Sequence, residues 1–429
     1  MKNEKIGRLK WLDSLSIGNA AAIGVFLFIF CNIFDMNGEH YYKYLGFAAV
    51  CPLLCISLLV LKWEVQMLVL SLVMFFCWPV VSLCIGLANG ADLKEGIMQT
   101  TPFSGYFIGL MLAPMVGGLC VARYLYNLSL VAAALVVIGT VCGYFQIGDT
   151  MIHALPGYIS CHIDPYAGTL GNGELRERIY LTATLWFVPA SVYFAFRNQY
   201  LRSIVCIIGL LFAVSKSGTA IAICGVLLSL WKRAKEKNSN GQKAKSPFKR
   251  LRTIVLLIVG LRLGFVVFPD FRFDVYRAIF GGDTVSLDVR IGHIRSFIEQ
   301  VKSDPQILLY GQGSGARFYS YGTGNMEVRM ETDHIDLIRQ HGLPWSLAFF
   351  ALCIVLATRL TRSSNVDIRA SGWALAVMFV AAGTNPHLKS PLFLFLLASC
   401  YILWKDEVHV AFKTKGALSG IEDKLTEAQ

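Results

Sequence analysis

The sequence predicts an all-α integral membrane protein with about twelve transmembrane helices and a large, mostly helical loop before the tenth span. Hydrophobic residues make up 55% of the 429 residues, charged residues make up 16%, and the mean hydropathy is +0.55. Charged residues reach about a quarter of a typical soluble domain. Apolar windows of about 17 to 20 residues, the length that crosses a hydrocarbon core, recur along the chain. Connections rich in Lys and Arg alternate with less basic ones, as expected of a chain that crosses a membrane repeatedly.

Twelve apolar windows can be placed in chain order. The first resembles a signal peptide in length, but it has no convincing small-residue cleavage site and many similar windows follow, so we expect a retained helix. The windows centre on Val25, Cys51, Phe75, Leu112, Val136, Phe187, Gly209, Gly225, Gly260, Phe350, Val377 and Leu396.

Basic connections between the windows predict the orientation. Lys and Arg concentrate on the cytoplasmic side of membrane proteins, so the basic connections and both basic termini are expected in the cytoplasm. The richest connection, Lys232–Arg252, carries nine basic residues and one acidic residue. A solvated cytoplasmic loop explains it better than a nucleic-acid site, and no nucleic-acid partner is expected. The basic connections are Lys62–Glu64, Ala122–Tyr126, Arg197–Arg202, Lys232–Arg252 and Thr361–Arg369.

The segment between two of these connections predicts a turn at the opposite membrane face. Only 29 residues separate Arg197–Arg202 from Lys232–Arg252, so the chain must cross the membrane twice between them or not cross it at all. The polar residues Ser215–Thr219 lie midway. We therefore place them near the outer face, where Lys216 would attract an anion.

These assignments divide the chain into three parts. Residues 1–268 hold spans one to nine, with an outer loop at 146–178 and the cytoplasmic loop at 232–252. Residues 269–342 form the large outer loop, which carries the candidate active site. Residues 343–429 hold spans ten to twelve and a cytoplasmic tail.

The motifs that the chain lacks exclude several chemistries. It has no Walker loop, no GxGxxG opening a helix after a strand and no HExxH, so an ATP-driven pump is not expected. No acidic residue lies in the middle of an apolar window, which argues against a proton- or sodium-coupled transporter. The charged residues predicted at membrane depth are Arg262 and Lys216, and Arg262 also fits a snorkelling or buried structural side chain. An Arg-rich outer face suits phosphate, which for a membrane protein would belong to a lipid carrier.

The sequence VRIGHIRSFIEQVKSDPQILLYGQGSG, Val289–Gly315, combines an Arg, an amphipathic helix, an Asp-Pro turn and a Gly-x-Gly. This segment resembles the outer-loop signature of the O-antigen polymerase and O-antigen ligase superfamily, with Arg290 as the Arg of that signature. The polar turn Ser215–Gly218 resembles the Ser-Arg-Gly motif of the superfamily, with Lys216 where Arg is more usual. AGTLGNG, Ala167–Gly173, resembles its Gly-Thr-Phe-x-Asn-Pro-Asn stretch but lacks the Pro.

The end of the outer loop separates the two branches of the superfamily. Ligases typically carry a His-Asn pair about eleven residues before the Gly that begins the next helix. Counting back eleven residues from Gly342 reaches Glu331, and Asp333 and His334 follow it closely. A Glu-x-Asp at this position is more similar to the polymerases, so the polymerase branch is favoured.

The same stretch suggests acid–base chemistry without the resemblance. If Glu331–His341 is helical, Glu331, His334, Ile338 and His341 share one stripe of the helix. A carboxylate or imidazole held beside a phosphate-binding Arg can accept a proton from a sugar hydroxyl. This is the arrangement that glycosyl transfer requires.

The alternative for this stretch is structural. Glu331 and Asp333 would favour the N-terminus of a solvated helix, and Arg339 would pair with Asp336. A metal site built from the acidic and His side chains of the stretch lacks a convincing fourth ligand, so no metal is expected.

We accordingly predict two groups of site residues. The catalytic candidates are Glu331, Asp333, His334 and Arg290. The substrate-binding candidates are Lys216, Arg176, Arg317 and Arg329. Among these, Arg176 lies just outside a predicted span and fits a membrane-surface anchor as well as a ligand.

The resemblance implies a bacterial inner-membrane glycosyltransferase with a GT-C-like fold, both termini in the cytoplasm and an active site on the periplasmic side. It implies that the enzyme, without metal or cofactor, takes a glycan from undecaprenyl pyrophosphate and joins it to another carrier-linked repeat unit, building O-antigen or a related surface polysaccharide. Membrane lipids and a polysaccharide chain-length regulator are the further partners implied. A ligase that transfers the glycan to lipid A core is the first alternative, and a flippase or exporter of the lipid-linked glycan is the second.

Overall fold

The computed structural model describes residues 16–61, 64–144, 153–166, 176–213, 215–239 and 285–407. This part of the chain is mostly helical, with two short two-stranded hairpins, in agreement with the predicted helical architecture. Eleven of the twelve predicted span centres lie inside helices, and the twelfth, Gly260, lies outside the described residues.

Helices α1 to α7 precede the first hairpin. They are α1 (Ser16–Phe34), α2 (Tyr42–Val60), α3 (Val65–Leu72), α4 (Trp78–Ala88), α5 (Leu93–Thr100), α6 (Ser104–Val116) and α7 (Gly118–Tyr144). A π-helical segment, Val73–Cys77, joins α3 to α4, and Pro79 follows it. Proline lacks the N–H that an α-helix would use at this point, and a widened turn accommodates the missing hydrogen bond.

The remaining elements lead to the candidate site and surround it. Strands β1 (Cys161–Tyr166) and β2 (Arg176–Leu181) pair antiparallel, with Cys161 opposite Leu181. Next come the helices α8 (Phe187–Phe196), α9 (Tyr200–Phe212) and α10 (Lys216–Ser239). The last described segment contains α11 (Val285–Ser303), α12 (Ile307–Tyr310), β3 (Phe318–Tyr319), β4 (Met326–Glu327), α13 (Asp333–His341), α14 (Leu343–Leu360), α15 (Val366–Ala381) and α16 (391–407).

Four helical stretches among the described residues are long and apolar enough to cross a membrane, namely Tyr42–Leu59, Leu68–Ala88, Gly118–Cys142 and Leu343–Leu360. Shorter apolar helices cover Gly18–Phe34, Thr182–Phe196, Tyr200–Phe212 and Ser217–Lys232. These apolar helices indicate a membrane-associated protein. The full set of twelve spans and the outer position of the large loop stay predictions.

Helix α8 forms the centre of the helical bundle. All ten of its residues are buried, and it packs against α7, α9, α10 and α15. Large apolar side chains are instead exposed on peripheral helices, among them Leu59, Val65 and Leu70. Extended apolar surface of this kind marks contact with a membrane or a partner, and here it agrees with the apolar composition of the helices.

Ion pairs and hydrogen bonds gather three basic connections at one end of the bundle. One carboxylate oxygen of Asp367 lies 2.5 Å from Arg123, and the other lies 2.8 Å from Arg197. Ser363, in the same connection as Asp367, hydrogen-bonds Glu407 near the end of α16. The connections that carry these residues therefore lie on one side of the bundle, as their basic composition predicts.

The turn between α9 and α10 lies at the opposite end, as predicted for two short spans that meet at a polar turn. Oγ of Ser217 lies 3.2 Å from Oγ1 of Thr384, which follows the last residue of α15. Asp367 lies in the first turn of the same helix, so the length of α15 separates the two ends. We call the end marked by Ser217 and Thr384 the site end.

The glycine-rich stretch GQGSG packs directly on α4 and α5. Gly313 has a φ of +92°, and a Cβ added there would lie 2.0 Å from the backbone nitrogen of Gly86. A Cβ on Gly315 would lie 2.6 Å from the backbone nitrogen of Gly96. The backbone N–H of Ser314 donates to the carbonyl of residue 82 at 2.9 Å. The Gly-x-Gly of the signature is Gly311 and Gly313, and a Cβ on Gly311 would lie 2.4 Å from the carbonyl oxygen of Gln340. Both glycines therefore have a structural role, because only glycine allows these backbones to approach so closely.

Candidate functional site

Helix α13 is the element that organises the candidate site, and it begins at Asp333. Glu331 lies two residues before the helix, so the predicted helical stripe that would include Glu331 is wrong. The start is displaced because Thr332 has an extended backbone, with φ −95° and ψ 94°. His341, at the other end of α13, is fully buried, with its ring 4.5 Å from that of Trp345.

The buried carboxylate of Asp336 is the centre of a polar network. Its Oδ1 accepts hydrogen bonds from Nη2 and Nε of Arg339 at 2.8 and 3.0 Å. Its Oδ2 accepts from Nζ of Lys389 at 2.7 Å and from Nε2 of Gln340 at 2.9 Å. Burial alone would raise the pKa of Asp336, but the positive charges of Lys389 and Arg339 outweigh burial and hold that pKa well below its usual value. Asp336 is therefore a charged structural anchor.

The Arg339 side chain connects α13 to the glycine-rich part of the loop. Nη1 donates to the Ala316 carbonyl at 2.9 Å and to Oε1 of Gln312 at 3.0 Å, while Nη2 donates to the Val328 carbonyl at 2.6 Å. The guanidinium also lies 4.6 Å from the centre of the Phe318 ring. The predicted pair between Arg339 and Asp336 is confirmed, but both side chains are fully buried and do not lie on a solvated helix.

Lys389 belongs to the short connection between α15 and α16, and the sequence interpretation did not include it. Its Nζ donates to Asp336 and also to Oε1 of Gln99, at 3.2 Å, on α5. Burial lowers the pKa of Lys389, and the charge of Asp336 opposes that shift. A lysine between two apolar windows gave little signal, because such residues usually lie in solvated loops.

Asp333 is the predicted catalytic residue with the most unusual environment. It is fully buried, its Oδ2 accepts a hydrogen bond from the backbone N–H of Leu388, and its Oδ1 has no hydrogen-bond partner among the described residues. Burial raises the pKa of Asp333 to about 6, and the positive charges of Lys389 and Arg329 oppose that rise. A carboxyl group with a pKa near neutrality and one free oxygen can exchange a proton.

His334 lies on the outside of the first turn of α13, between aromatic rings. Its ring centre lies 4.7 Å from that of Phe379 and 5.3 Å from that of Phe350. A Cβ added at Gly383 would lie 3.4 Å from Nδ1 of His334. Burial lowers the pKa of His334, so the imidazole is neutral at pH 7. Because Gly383 precedes Thr384, His334 lies close to the turn at Ser217.

Arg290 and Glu331 contact each other. Nε of Arg290, on α11, lies 3.1 Å from Oε2 of Glu331. The backbone N–H of Glu331 donates to Nδ1 of His293 at 3.3 Å, which fixes the chain just before α13. Arg290 and Glu331 therefore occupy the same part of the molecule as Asp333, although each currently partners the other.

The other predicted basic residues are distributed around this centre. Arg317 pairs with Glu95, with 2.8 Å between Nη2 and Oε1, and Arg329 is exposed without an ion pair to any described residue. Lys216 begins α10 beside Ser217, and Arg176 begins β2, but the side chains of both lie outside the described part of the chain. The remaining basic candidate, at position 262, also lies outside it.

A cavity of about 600 Å³ adjoins the network. It is lined by Asp92, Lys94, Glu95, Met98, Gln99, Arg317, Met326, Glu327, Val328 and Arg329. We call it the α5 cavity. Within the described residues, no group of three His, Cys, Asp or Glu side chains is arranged to hold a metal ion.

Comparison with known proteins finds no match. No family model, curated protein or solved structure is significantly similar to the chain.

Four of the predicted residues thus come together at the site end: Arg290, Glu331, Asp333 and His334. Arg317 and Arg329 line the adjacent α5 cavity. The sequence interpretation missed the buried Lys389, its half-buried partner Gln99 and the central role of Asp336. The local sequence pattern carries little information about the contact between Gln99 and Lys389, because these residues are 290 positions apart in sequence.

Proposed function

We propose that the protein is a glycosyltransferase of the O-antigen polymerase branch. In this proposal it joins lipid-linked oligosaccharide repeat units, carried on undecaprenyl pyrophosphate, into O-antigen or a related surface polysaccharide. It acts in the bacterial inner membrane, with the site end facing the periplasm, both termini in the cytoplasm and lipids around its twelve spans. A polysaccharide chain-length regulator would dock on the outer loop.

The observation that carries this proposal is the convergence of three distant segments around Asp333. Ser217 contacts Thr384, Gly383 lies beside His334, and Leu388 hydrogen-bonds Asp333. These segments are the polar turn, the last short connection and the end of the outer loop. The polar turn and the outer loop both carry motifs that resemble the superfamily, so their proximity supports a shared site.

The chemistry follows from the charges in this region. Arg290 and Lys216 would neutralise the pyrophosphate of the donor, which is the leaving group. A hydroxyl oxygen of the acceptor sugar would attack the anomeric carbon of the donor sugar. The bond from that carbon to the pyrophosphate oxygen would break, and Oδ1 of Asp333 would accept the hydroxyl proton. His334, neutral at pH 7, would orient the acceptor or take the same proton.

The two alternatives differ in what they require of Asp333. A ligase would use the same donor and the same base but would transfer the glycan to lipid A core. A flippase or exporter would use the basic residues without needing a proton acceptor. Replacing the Asp333 carboxylate with an amide would then leave transport almost unchanged.

Reconstitution with one substrate tests the proposal. The purified protein would be incorporated into liposomes with the cells' own undecaprenyl-pyrophosphate-linked repeat unit, in the presence of EDTA, and the products separated on a gel. We expect a ladder of polymer lengths. Asp333→Asn should abolish the ladder, whereas Asp288→Asn, a change on the exposed surface of α11, should preserve it.

Other outcomes would reassign the protein. Product formation that requires added lipid A core would identify a ligase. Movement of the lipid-linked glycan across the bilayer without any transfer would identify a flippase. A ladder that disappears with EDTA and returns with Mg²⁺ would contradict the metal-independent mechanism.

A further inference from the structure

The α5 cavity differs in charge from a pyrophosphate site. Its six charged side chains balance, with three basic and three acidic groups. The basic groups are Lys94, Arg317 and Arg329, and the acidic groups are Asp92, Glu95 and Glu327. A pyrophosphate is negatively charged and favours an excess of basic groups, so this balance disfavours it.

Several of the charged groups in the α5 cavity are already held in place. Oδ1 of Asp92 accepts from the backbone N–H groups of Lys94 and Glu95, at 2.9 and 3.2 Å, and so caps α5. Glu95 pairs with Arg317 at 2.8 Å across the cavity wall. The α5 cavity therefore presents both hydrogen-bond donors and acceptors, some of them held by these contacts, which suits a neutral ligand with many hydroxyl groups.

Two methionines complete the lining. Met98 and Met326 are 62% and 54% exposed, and they contribute flexible apolar surface between the polar groups. Sugar rings present apolar C–H faces between their hydroxyl groups, and methionine side chains can adapt to such faces. Methionine is thus compatible with a carbohydrate and adds nothing for a phosphate.

A chain of contacts joins the α5 cavity to the buried carboxylates. Gln99 lines the cavity and accepts a hydrogen bond from Nζ of Lys389. Lys389 in turn binds Asp336, which lies one helical turn from Asp333. The side chains of Gln99, Lys389 and Asp336 therefore connect a ligand in the cavity to the helical turn that carries Asp333.

We propose that the α5 cavity binds the sugar residues of the carrier-linked acceptor, a neutral oligosaccharide portion, and does not bind its pyrophosphate. This inference rests on the proposed function and assigns Arg317 and Arg329 to sugar hydroxyl groups of the acceptor. The donor pyrophosphate is then bound elsewhere at the site end, beside Arg290.

A binding experiment tests this assignment without requiring catalysis. The probe is the free repeat-unit oligosaccharide, released from the cells' own polysaccharide and lacking lipid and phosphate. Its binding to the protein in nanodiscs would be measured by saturation-transfer NMR and titrated to obtain Kd. We expect Glu327→Gln to weaken binding about tenfold, the effect of losing one hydrogen bond to a charged group.

A second variant guards against misfolding. Met98→Trp places a large ring at an exposed position of the α5 cavity and should also weaken binding about tenfold or more. Glu299→Gln, on the exposed surface of α11, is the control and should leave Kd unchanged. Inorganic pyrophosphate should not displace the oligosaccharide.

The results can reject either of the two proposals independently of the other. Binding that survives both cavity variants, or displacement by pyrophosphate, would overturn the assignment of the cavity. Cavity-dependent oligosaccharide binding by a protein that forms no polymer ladder would uphold the assignment and contradict the polymerase proposal. A ladder together with no oligosaccharide binding would do the reverse.

Discussion

Nε of Arg290 lies 3.1 Å from Oε2 of Glu331, so two side chains predicted as catalytic groups neutralise each other. They are 22% and 40% exposed, which leaves the pair open to a ligand. A pyrophosphate that binds Arg290 must displace Glu331 or share the guanidinium with it. Arg290 should therefore favour donor binding, whereas Glu331 should oppose it.

Substitutions of Glu331 and of Arg290 should change the KM for the donor in opposite directions. Glu331→Gln removes a competing negative charge and should lower the KM for the carrier-linked donor, whereas Arg290→Ala should raise it about tenfold or more. Neither change should cost more than about 1 kcal/mol of stability, because the pair is partly exposed. Steady-state polymerisation and thermal unfolding measure the two effects. An increase in KM for both variants would indicate that Glu331 contacts the substrate directly.

The pKa of Asp333 predicts a pH dependence of stability. Burial raises this pKa from 3.8 to about 6, so the folded protein binds the proton more tightly than the unfolded chain between these values. Stability contributed by the protonated form is therefore present at low pH and is lost as pH rises through about 6. Asp333→Asn should remove this dependence and stabilise the protein at pH 7 by on the order of 3 kcal/mol.

Thermal unfolding of the wild type and of Asp333→Asn between pH 4.5 and 7.5 measures that effect. The low pKa of Asp336 acts with the opposite sign, because its contribution is lost only as pH falls below its usual value of 3.8. Buried histidines with lowered pKa values, such as His334 and His341, also change the stability in this interval, but both proteins contain them. The difference between the wild type and the variant therefore isolates Asp333. Equal slopes for the two proteins would show that Asp333 does not titrate in this range.

Substitutions within the network around Asp336 should reduce the stability of the protein by unequal amounts. Asp336→Asn leaves two buried cations, Lys389 and Arg339, without their carboxylate and should destabilise the protein by about 3–5 kcal/mol. Lys389→Met leaves Asp336 bound by Arg339 and should cost only about 1–3 kcal/mol. Lys302→Met removes an exposed pair with Glu299 and should change stability by about 0.5 kcal/mol or less.

Unfolding midpoints in one detergent provide the comparison for these three variants. A larger loss for Lys389→Met than for Asp336→Asn would contradict the arrangement in which one carboxylate neutralises two cations. The double variant at positions 336 and 389 should cost less than the sum of the two single changes, because the side chains share one network.

Alanine substitutions at two glycines should separate the destabilising effect of close packing from that of backbone strain. Gly313 and Gly324 both have positive φ values, +92° and +73°, so alanine strains the backbone at either position. A Cβ at Gly313 would also lie 2.0 Å from the Gly86 nitrogen, whereas one at Gly324 meets no atom within 4 Å. Gly324→Ala should therefore cost about 1–2 kcal/mol, and Gly313→Ala should cost far more and lower the yield of folded protein.

Comparison of the two variants by size-exclusion profile and unfolding temperature tests this explanation. Similar behaviour would mean that the outer loop does not pack against α4 in the folded protein.

The distribution of basic residues predicts the orientation in the membrane. An epitope inserted at Gly324, in the turn between β3 and β4, should be labelled by antibody in intact spheroplasts. The same epitope at Ser364, between α14 and α15, should be labelled only after permeabilisation, because the basic connections face the cytoplasm. The reverse pattern would invert the topology and place the candidate site in the cytoplasm.

The positions of the helices were predictable from local composition. Eleven predicted span centres fall on described residues, and each of them lies in a helical segment. Such segments are predictable because their position in an apolar environment depends on the side chains of one continuous stretch of chain. The basic connections also predicted that Arg123, Arg197 and Asp367 would share one side, since that tendency follows charge. The start of α13 was misplaced because the extended backbone at Thr332 has no strong signal in the neighbouring residues.

By itself, the sequence determined a helical membrane-associated bundle, the alternation of its connections and a group of polar residues at the end of one loop. Only the tertiary structure decided that Asp336, Arg339 and Lys389 form a buried network and that Arg290 pairs with Glu331. It also decided that one oxygen of Asp333 has no hydrogen-bond partner among the described residues. The reason is physical. Burial and charge compensation depend on which distant segments cover a side chain, and those partners are set by packing and not by neighbours in the chain.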